Sequence, residues 1–200
     1  MCSRVFLLSP ARCSGKRAAI LINPDATFEL AVRLRAGRIT LGEAFAFMSG
    51  LYFRGKLAYA EAFGGPDAAL VIAPGRGLLR ADTPITLEDL RAMAEVPVDL
   101  DEPQYCEPLT RDAARLADAA ETVVLLGSIA TRKYLDPLQA VLGERLVYPQ
   151  AFNGIGDMSR GALMLRCVRA GIELDYVAAP PPKPKRRAAR APRSRKDLAA

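Results

Sequence analysis

Short apolar runs alternate along the chain with longer segments in which apolar residues recur every three or four positions. The runs lie within residues 4–8, 68–73, 122–126 and 145–148, and a Pro or Gly follows each of them within two positions. Runs that are apolar on both faces are typical of strands in a parallel sheet that is covered on both sides. The pattern therefore predicts an α/β fold, with a mostly parallel sheet of about four or five strands and helices on both faces.

Helix-start signals divide the segments between these strands. Asp25 or Thr27 is the expected N-cap of a helix that ends at Gly37. Thr40 and Glu43 form a capping-box pattern, which predicts a helical region to residue 63 with a break near residues 49–50. Thr86 is expected to cap a helix to about residue 95, followed by a loop over 97–108. Further helices are expected over 110–120, from the loop after residue 128 to about 141, and over 159–170.

Positive charge is concentrated after Pro180. The net charge is +6, but residues 181–200 hold eight basic side chains and one acidic one, which leaves 20 basic and 21 acidic side chains before them. A segment of Pro, Ala, Lys and Arg buries too little apolar area to fold. We therefore expect one α/β domain over residues 1–179 and a disordered tail over 180–200. The expected nucleic-acid contacts of the tail are Lys183, Lys185, Arg186, Arg187, Arg190, Arg193, Arg195 and Lys196.

The four cysteines bear on metal binding. Cys2, Cys13, Cys106 and Cys167 form no C-x-x-C pair, and the chain has no histidine. Because these spacings do not match the common zinc motifs, we expect no metal and no cofactor, with a four-thiolate site built from distant loops as the alternative.

The first nine residues hold an apolar run of only four residues, much shorter than a signal-peptide core or a membrane span. A cytoplasmic location is therefore expected.

Ligands of an open parallel sheet bind where the carboxyl ends of the strands meet the following loops. Loops 9–16, 74–80 and 127–132 are expected at that edge, together with 152–160. Glycine amides and cations in these loops suit an anion such as phosphate. The candidate phosphate-binding residues are Ser9, Arg12, Lys16, Arg76, Arg80, Ser128, Arg132, Ser159 and Arg160. The alternative is that each arginine is a solvated neighbour of a helix cap, and residues 14–16 lack the upstream glycine of a P-loop.

Without histidine, catalysis has to use carboxylates, thiols, lysines or positioning alone. Asp157 in the glycine-rich loop and Asp82 after the 77–80 turn are the carboxylate candidates. Cys13 lies near two cations, which predicts a lowered thiol pKa and a nucleophilic or redox role. The alternatives are a helix-capping role for Asp157 and a passive one for Cys13.

Aromatic residues are most frequent between positions 47 and 63, where two cations are interleaved with them. Their helical spacing favours core packing for most of them. Tyr52, Arg54 and Lys56 are the candidates for a surface that stacks bases and contacts phosphates.

Four short segments, in order from residue 6 to residue 164, resemble the YaaA family of bacterial peroxide-stress proteins. Residues 6–12, Phe-Leu-Leu-Ser-Pro-Ala-Arg, resemble that family's strand followed by Ser-Pro-Ala-Lys. Residues 47–55 resemble its Phe-x-Gly-x-x-Tyr-x-Gly segment with a shifted spacing. Residues 75–82 are similar to its Gly-x-Tyr-Gly-x-Leu-Arg-Pro-x-Asp turn, and residues 159–164 to its Ala-Arg-Gly-x-Met helix. The chain departs from the family at Arg12, Arg76 and residues 83–86.

The resemblance implies a cytosolic role in oxidative stress and DNA protection or repair, with DNA binding by the folded domain. The loop arrangement is also similar to the uracil-DNA-glycosylase-like α/β architecture. Those enzymes carry an Asp or His base beside the first strand, where this chain has neither.

Three functions follow from these observations. The first is a DNA-associated protein whose tail supplies sequence-independent affinity, so that deletion of residues 182–200 removes most DNA binding. The second is an enzyme that acts on a nucleotide or another phosphorylated small molecule through the loops. The third is a partner-binding module whose basic tail docks on an acidic protein or an anionic lipid surface.

Overall fold

The computed structural model describes residues 4–65, 67–130 and 132–181. The described strands are β1 (Arg4–Leu8), β2 (Ile39–Thr40), β3 (Ala69–Ala73), β4 (Gly77–Arg80), β5 (Pro84–Ile85), β6 (Thr122–Leu126), β7 (Leu146–Pro149) and β8 (Tyr176–Ala178). The described α-helices are α1 (Lys16–Ile22), α2 (Glu29–Arg35), α3 (Leu41–Ser49), α4 (Leu51–Gly64), α5 (Leu87–Glu95), α6 (Pro103–Ala119), α7 (Arg132–Leu142) and α8 (Asp157–Ala170). The tail expected over 180–200 lies outside the described residues from 182 onward.

Six strands form the main sheet in the order β4-β3-β1-β6-β7-β8. The four central strands pair in parallel, whereas the edge strands β4 and β8 pair antiparallel. The predicted α/β class and mostly parallel sheet are thus confirmed, but the sheet has more strands than the four or five expected. The expected loop 74–80 is a hairpin, because Gly75 and Gly77 adopt φ of 75° and 81° and return the chain alongside β3 as β4.

Helices cover both faces of the sheet. Phe6 and Leu8 of β1 pack in one buried cluster with residues of α1 to α5 and α8. Leu7 of β1 and Leu125 of β6 pack in a second cluster with residues of α6 and α7. Successive side chains of a strand point to opposite faces, so the continuous apolar runs feed both clusters.

The predicted caps are partly confirmed. Thr40 and Thr86 each form a capping box, and Gly50, with φ of 62°, separates α3 from α4 as expected. The helix expected after Asp25 or Thr27 is present as α2, but its N-cap is Phe28, one residue after Thr27, and α1 precedes it where no helix was expected.

Two other helix starts differ from the prediction. The expected loop 97–108 is wrong in its second half, because Pro103 occupies the first turn of α6 and the Glu102 side chain accepts a hydrogen bond from the Gln104 amide. Helix α8 begins at Asp157, two residues before the expected start.

Helices α4 and α8 touch through their backbones. A Cβ atom on Gly55 would lie 2.7 Å from the Gly161 carbonyl oxygen, and one on Gly161 would lie 2.8 Å from that of Leu51. Only glycine fits at such contacts. The close approach brings the start of α4 beside the start of α8.

The order in which the strands are added to the sheet reverses at β1, which has β3 on one side and β6 on the other. The connection after β1 packs on one face of the sheet and α7, which follows β6, packs on the other. The loops after these adjacent strands therefore diverge and leave a crevice at their carboxyl ends, the usual ligand position in such sheets. Among the described residues, no helix has both the length and the apolar composition needed to cross a membrane.

Candidate functional site

A cleft of about 710 Å³ opens at the carboxyl ends of β1, β3 and β6. The loop after β1 forms its floor, Ser128, Lys133 and Tyr134 form one wall, and residues 93–98 form an opposite, mainly apolar wall. The beginnings of α4 and α8 close the remaining side. The polar and charged residues that line the cleft are Ser9, Arg12, Cys13, Ser14, Ser49, Tyr52, Ser128, Lys133, Tyr134 and Asp157.

Lys56 lies directly behind the cleft and is only 1% exposed. Its Nζ donates hydrogen bonds to the Ser9 carbonyl oxygen at 2.6 Å and to Ser9 Oγ at 3.0 Å. The same nitrogen lies 4.3 Å from the centroid of the Tyr52 ring and 5.0 Å from that of Phe53. A helix residue thus holds the first residue after β1 in place.

The positive charge of Lys56 has no carboxylate partner among the described ion pairs, which involve other residues throughout. Burial lowers the pKa of Lys56 to about 7, and Asp157 opposes that shift from a greater distance. Removing an ammonium from water without an ion-pair partner disfavours its charged form. At neutral pH, Lys56 therefore exchanges readily between its ammonium and amine forms.

Tyr52 presents at the cleft a buried hydroxyl without a hydrogen-bond partner among the described residues. The residue is 6% exposed, and its hydroxyl has no hydrogen-bond partner in the described part of the chain. Burial raises the pKa of Tyr52 to about 12, although the Arg160 guanidinium lies near enough to oppose the shift without completing a hydrogen bond. A buried hydroxyl without a partner is costly, so a ligand that accepts from it gains an interaction that the protein does not supply.

Asp157 is held at the margin of the cleft by Arg160. The Arg160 guanidinium, which is 6% exposed as a residue, donates to the Phe152 carbonyl oxygen at 3.1 Å and 3.3 Å and to Asp157 Oδ1 at 3.1 Å. These bonds fix the orientation of the buried Arg160 side chain and of the Asp157 carboxylate. Arg160 therefore acts on the cleft through Asp157.

The two cations of the cleft lining, Arg12 and Lys133, differ from several predicted phosphate ligands in having no partner among the described residues. The side chains of Arg12 and Lys133 make no hydrogen bond or ion pair within the described ranges. Arg76 pairs with Asp89, Arg80 with Asp67 and Asp82, and Arg132 with Asp136. Lys16, which lies outside the cleft lining, also has no partner within these ranges, so Arg12 and Lys133 are the cations of the cleft lining that are available to an anion.

The predicted site residues fall into three groups. The cleft brings together Ser9, Arg12, Cys13, Tyr52, Ser128 and Asp157, with Lys56 behind them. Those outside the cleft lining are Lys16, Arg54, Arg76, Arg80, Asp82, Arg132, Ser159 and Arg160. The tail cations, residues 183–196, lie outside the described residues. The functional roles of all these residues remain predictions.

Two catalytic candidates are changed by their surroundings. The lowered thiol pKa predicted for Cys13 is wrong, because burial raises it to about 12, and the thiol donates to the Ala11 carbonyl oxygen. Asp82 pairs with Arg80 on the exposed edge strand β4, where the Arg80 hydrogen bond lowers the carboxyl pKa. Cys13 thus lacks the activation that the sequence suggested, and Asp82 lies outside the cleft lining.

Sequence reasoning missed Lys133, Tyr134 and the apolar wall 93–98. Lys133 and Tyr134 lie in the first turn of α7, directly after the loop that follows β6. That position was the one signal in the sequence that they would reach the cleft. The wall residues have no comparable signal, since they lie in the last turn of α5 and directly after it and reach the cleft only through the tertiary packing.

No metal cluster accompanies the cleft: the described ranges hold no group of three or more cysteine and carboxylate side chains placed to bind a metal ion. No protein-family model, curated protein or solved structure matches the chain.

Proposed function

We propose that the cleft binds a nucleotide, either free or exposed on a nucleic-acid strand. The observation that carries this proposal is the pairing of two cations that lack partners, Arg12 and Lys133, with two tyrosines, Tyr52 and Tyr134, in one crevice. Phosphate groups suit the cations, and the aromatic side chains offer apolar contact to a base. The cleft volume of about 710 Å³ lies within the usual range for small-ligand sites, roughly 300–1,000 Å³.

The electrostatics of the cleft favour an anion. Arg12 and Lys133 stand at its surface and Lys56 behind it, against the single carboxylate of Asp157 among its lining residues. Asp157 is itself bonded to Arg160, so its charge is partly compensated. A bound phosphate would place a negative charge near Lys56, which has no ion-pair partner among the described residues.

The charge distribution supports presentation of the nucleotide on a strand. The excess positive charge of the chain lies after residue 180, whereas the preceding residues carry one more acidic than basic side chain. Cations in such a segment bind the phosphate backbone without sequence preference. The tail then holds the strand, and the cleft takes an exposed nucleotide from it. A role in DNA protection or repair would use this arrangement.

The test is calorimetric titration of the full chain with the four ribonucleoside 5′-monophosphates and with inorganic phosphate. We expect the nucleotides to bind more tightly than phosphate, and Arg12→Ala to weaken nucleotide binding about tenfold, since a charge-assisted hydrogen bond is lost. Arg38→Ala is the matched control, because Arg38 is exposed and lies outside the cleft lining. Absence of nucleotide binding, or equal weakening by the two variants, would contradict the proposal.

A further inference from the structure

The contact between Ser9 and Lys56 has the geometry of a nucleophile beside a base. Ser9 is the first residue after β1, lines the cleft and is 4% exposed. Its Oγ lies 3.0 Å from Lys56 Nζ, within the range in which a proton passes between the two atoms. Serine paired with lysine is one of the arrangements that replace a histidine base, and this chain has no histidine.

We propose that Ser9 is a nucleophile activated by Lys56, and that the cleft transfers a phosphoryl group from its ligand to Ser9. This inference rests on the proposed function for its substrate class, a phosphate ester or anhydride of a nucleotide. It adds a covalent step that binding alone does not require.

The second hydrogen bond of Lys56 fixes the direction of the amine. In the neutral amine, Nζ keeps its donation to the Ser9 carbonyl oxygen at 2.6 Å, whereas the hydrogen bond with Ser9 Oγ at 3.0 Å reverses, so that the nitrogen lone pair accepts from the hydroxyl. Gly127 leaves room for the serine, since a Cβ atom there would lie 3.0 Å from Ser9 Cβ and 3.3 Å from Ser9 Oγ. The residues that follow β1 and β6 and the Lys56 side chain of α4 thus meet at this hydroxyl.

The proposed step balances without a metal or an oxidant. Ser9 Oγ forms a bond to phosphorus as its proton moves to the neutral Lys56 amine. The bond from phosphorus to the leaving oxygen breaks with its electron pair, and that oxygen takes the proton from Lys56. Water then attacks the phosphorus of the phosphoserine as its proton moves to the Lys56 amine. The bond from phosphorus to Ser9 Oγ breaks, Ser9 Oγ takes the proton from Lys56, and inorganic phosphate leaves. Arg12 and Lys133 lie where they would neutralise the phosphoryl oxygens.

Protonation of Lys56 sets the pH range in which this step runs. The ionisable groups around it are Tyr52 on its own helix, Asp157 and its partner Arg160 on α8, and Tyr134 on α7. Burial raises the pKa of both tyrosines. Lys56, with a pKa of about 7, is therefore the base whose neutral form increases between pH 6 and pH 8.

The test uses a small uncharged dialkyl fluorophosphate, which reacts with activated serines and needs no nucleotide site. The full chain is labelled between pH 6 and pH 8, and the adduct is located by peptide mass spectrometry. We expect one adduct, on Ser9, that forms about tenfold faster at pH 8 than at pH 6 because the neutral fraction of Lys56 rises. Ser9→Ala should abolish it, and Lys56→Met should slow it at least about 100-fold and remove its pH dependence.

Matched controls separate activation from general changes in the protein. Thr27→Ala and Arg38→Met remove a hydroxyl and a cation at exposed positions outside the cleft and should label like the wild type. Absence of a Ser9 adduct, a flat pH profile of the wild type, or unchanged labelling of Lys56→Met would overturn the proposal. Nucleotide binding without labelling would refute the nucleophile alone, whereas labelling without nucleotide binding would refute only the proposed ligand.

Discussion

Lys56 shows how a single residue connects the fold to the site. The sequence predicted both Lys56 and Arg54 as nucleic-acid contacts. In the structure Arg54 is exposed, whereas Lys56 is buried. The helical positions next to Lys56 are Tyr52 and Phe53, and this face of α4 packs into the core. A lysine one turn after two buried aromatics was a signal for burial, but the absence of an acidic partner was not visible in the sequence.

The cost of burying Lys56 makes stability depend on pH. The pKa falls from its usual value near 10.5 to about 7 in the folded chain, so the unfolded chain binds more protons between these values. The destabilisation is complete below pH 7 and declines as the pH rises above it. Cys13, whose pKa is raised, adds an opposite dependence only near and above its unfolded pKa of about 8.5.

Replacing Lys56 with methionine should therefore stabilise the chain and remove this dependence. We expect the free energy of unfolding of the wild type to rise by about 2 kcal/mol from pH 6 to pH 8.5, and that of Lys56→Met to stay nearly constant. Denaturant unfolding at several pH values measures both. Lys16→Met should retain the wild-type slope; a variant at position 56 that retained it too would show that Lys56 is not the titrating group.

Elements were predicted well where local signals act alone. The boxes at Thr40 and Thr86 and the break at Gly50 depend on neighbouring residues, and each appears in the structure. Strand β8 and the hairpin strand β4 were missed, because edge strands of three or four residues are defined by their partners rather than by their own pattern. The start of α6 was missed because Pro103 was interpreted as a loop residue, although proline is favoured in a first helical turn.

The contact between α4 and α8 sets the position of Tyr52 and Lys56 relative to Asp157. Gly161→Ala would place a methyl group 2.8 Å from the Leu51 carbonyl oxygen and 2.9 Å from the Tyr52 Cα atom. We expect this substitution to destabilise the chain by about 1–3 kcal/mol and to weaken nucleotide binding, since the helices must separate.

Arg166→Ala on the same helix is the control, because Arg166 is exposed. It should change the free energy of unfolding by less than about 0.5 kcal/mol. Thermal and denaturant unfolding of the two variants, together with a nucleotide titration, provide the comparison. Equal stability of Gly161→Ala and the wild type would show that the two helices have room to adjust.

At the scale of the whole molecule, the sheet topology explains why distant loops meet. The cleft residues Ser9, Ser128 and Asp157 are far apart in sequence, and the strand order puts β1 between β3 and β6. The sequence predicted this common edge because the carboxyl ends of parallel strands share one side. It could not predict which cations remain unpaired there, since the ion pairs of Arg76 and Arg80 form with acids fixed by the tertiary structure.

The most direct test of the cleft as a nucleotide site is an NMR titration that maps backbone amides. A ¹⁵N-labelled chain ending at Pro181 is titrated with a nucleoside 5′-monophosphate, and the full chain is treated in the same way. We predict that both bind, with the largest shifts at residues 9, 11–13, 128, 133, 134 and 157. Shifts confined to other surfaces, or binding that disappears with the tail, would contradict a nucleotide site in the cleft.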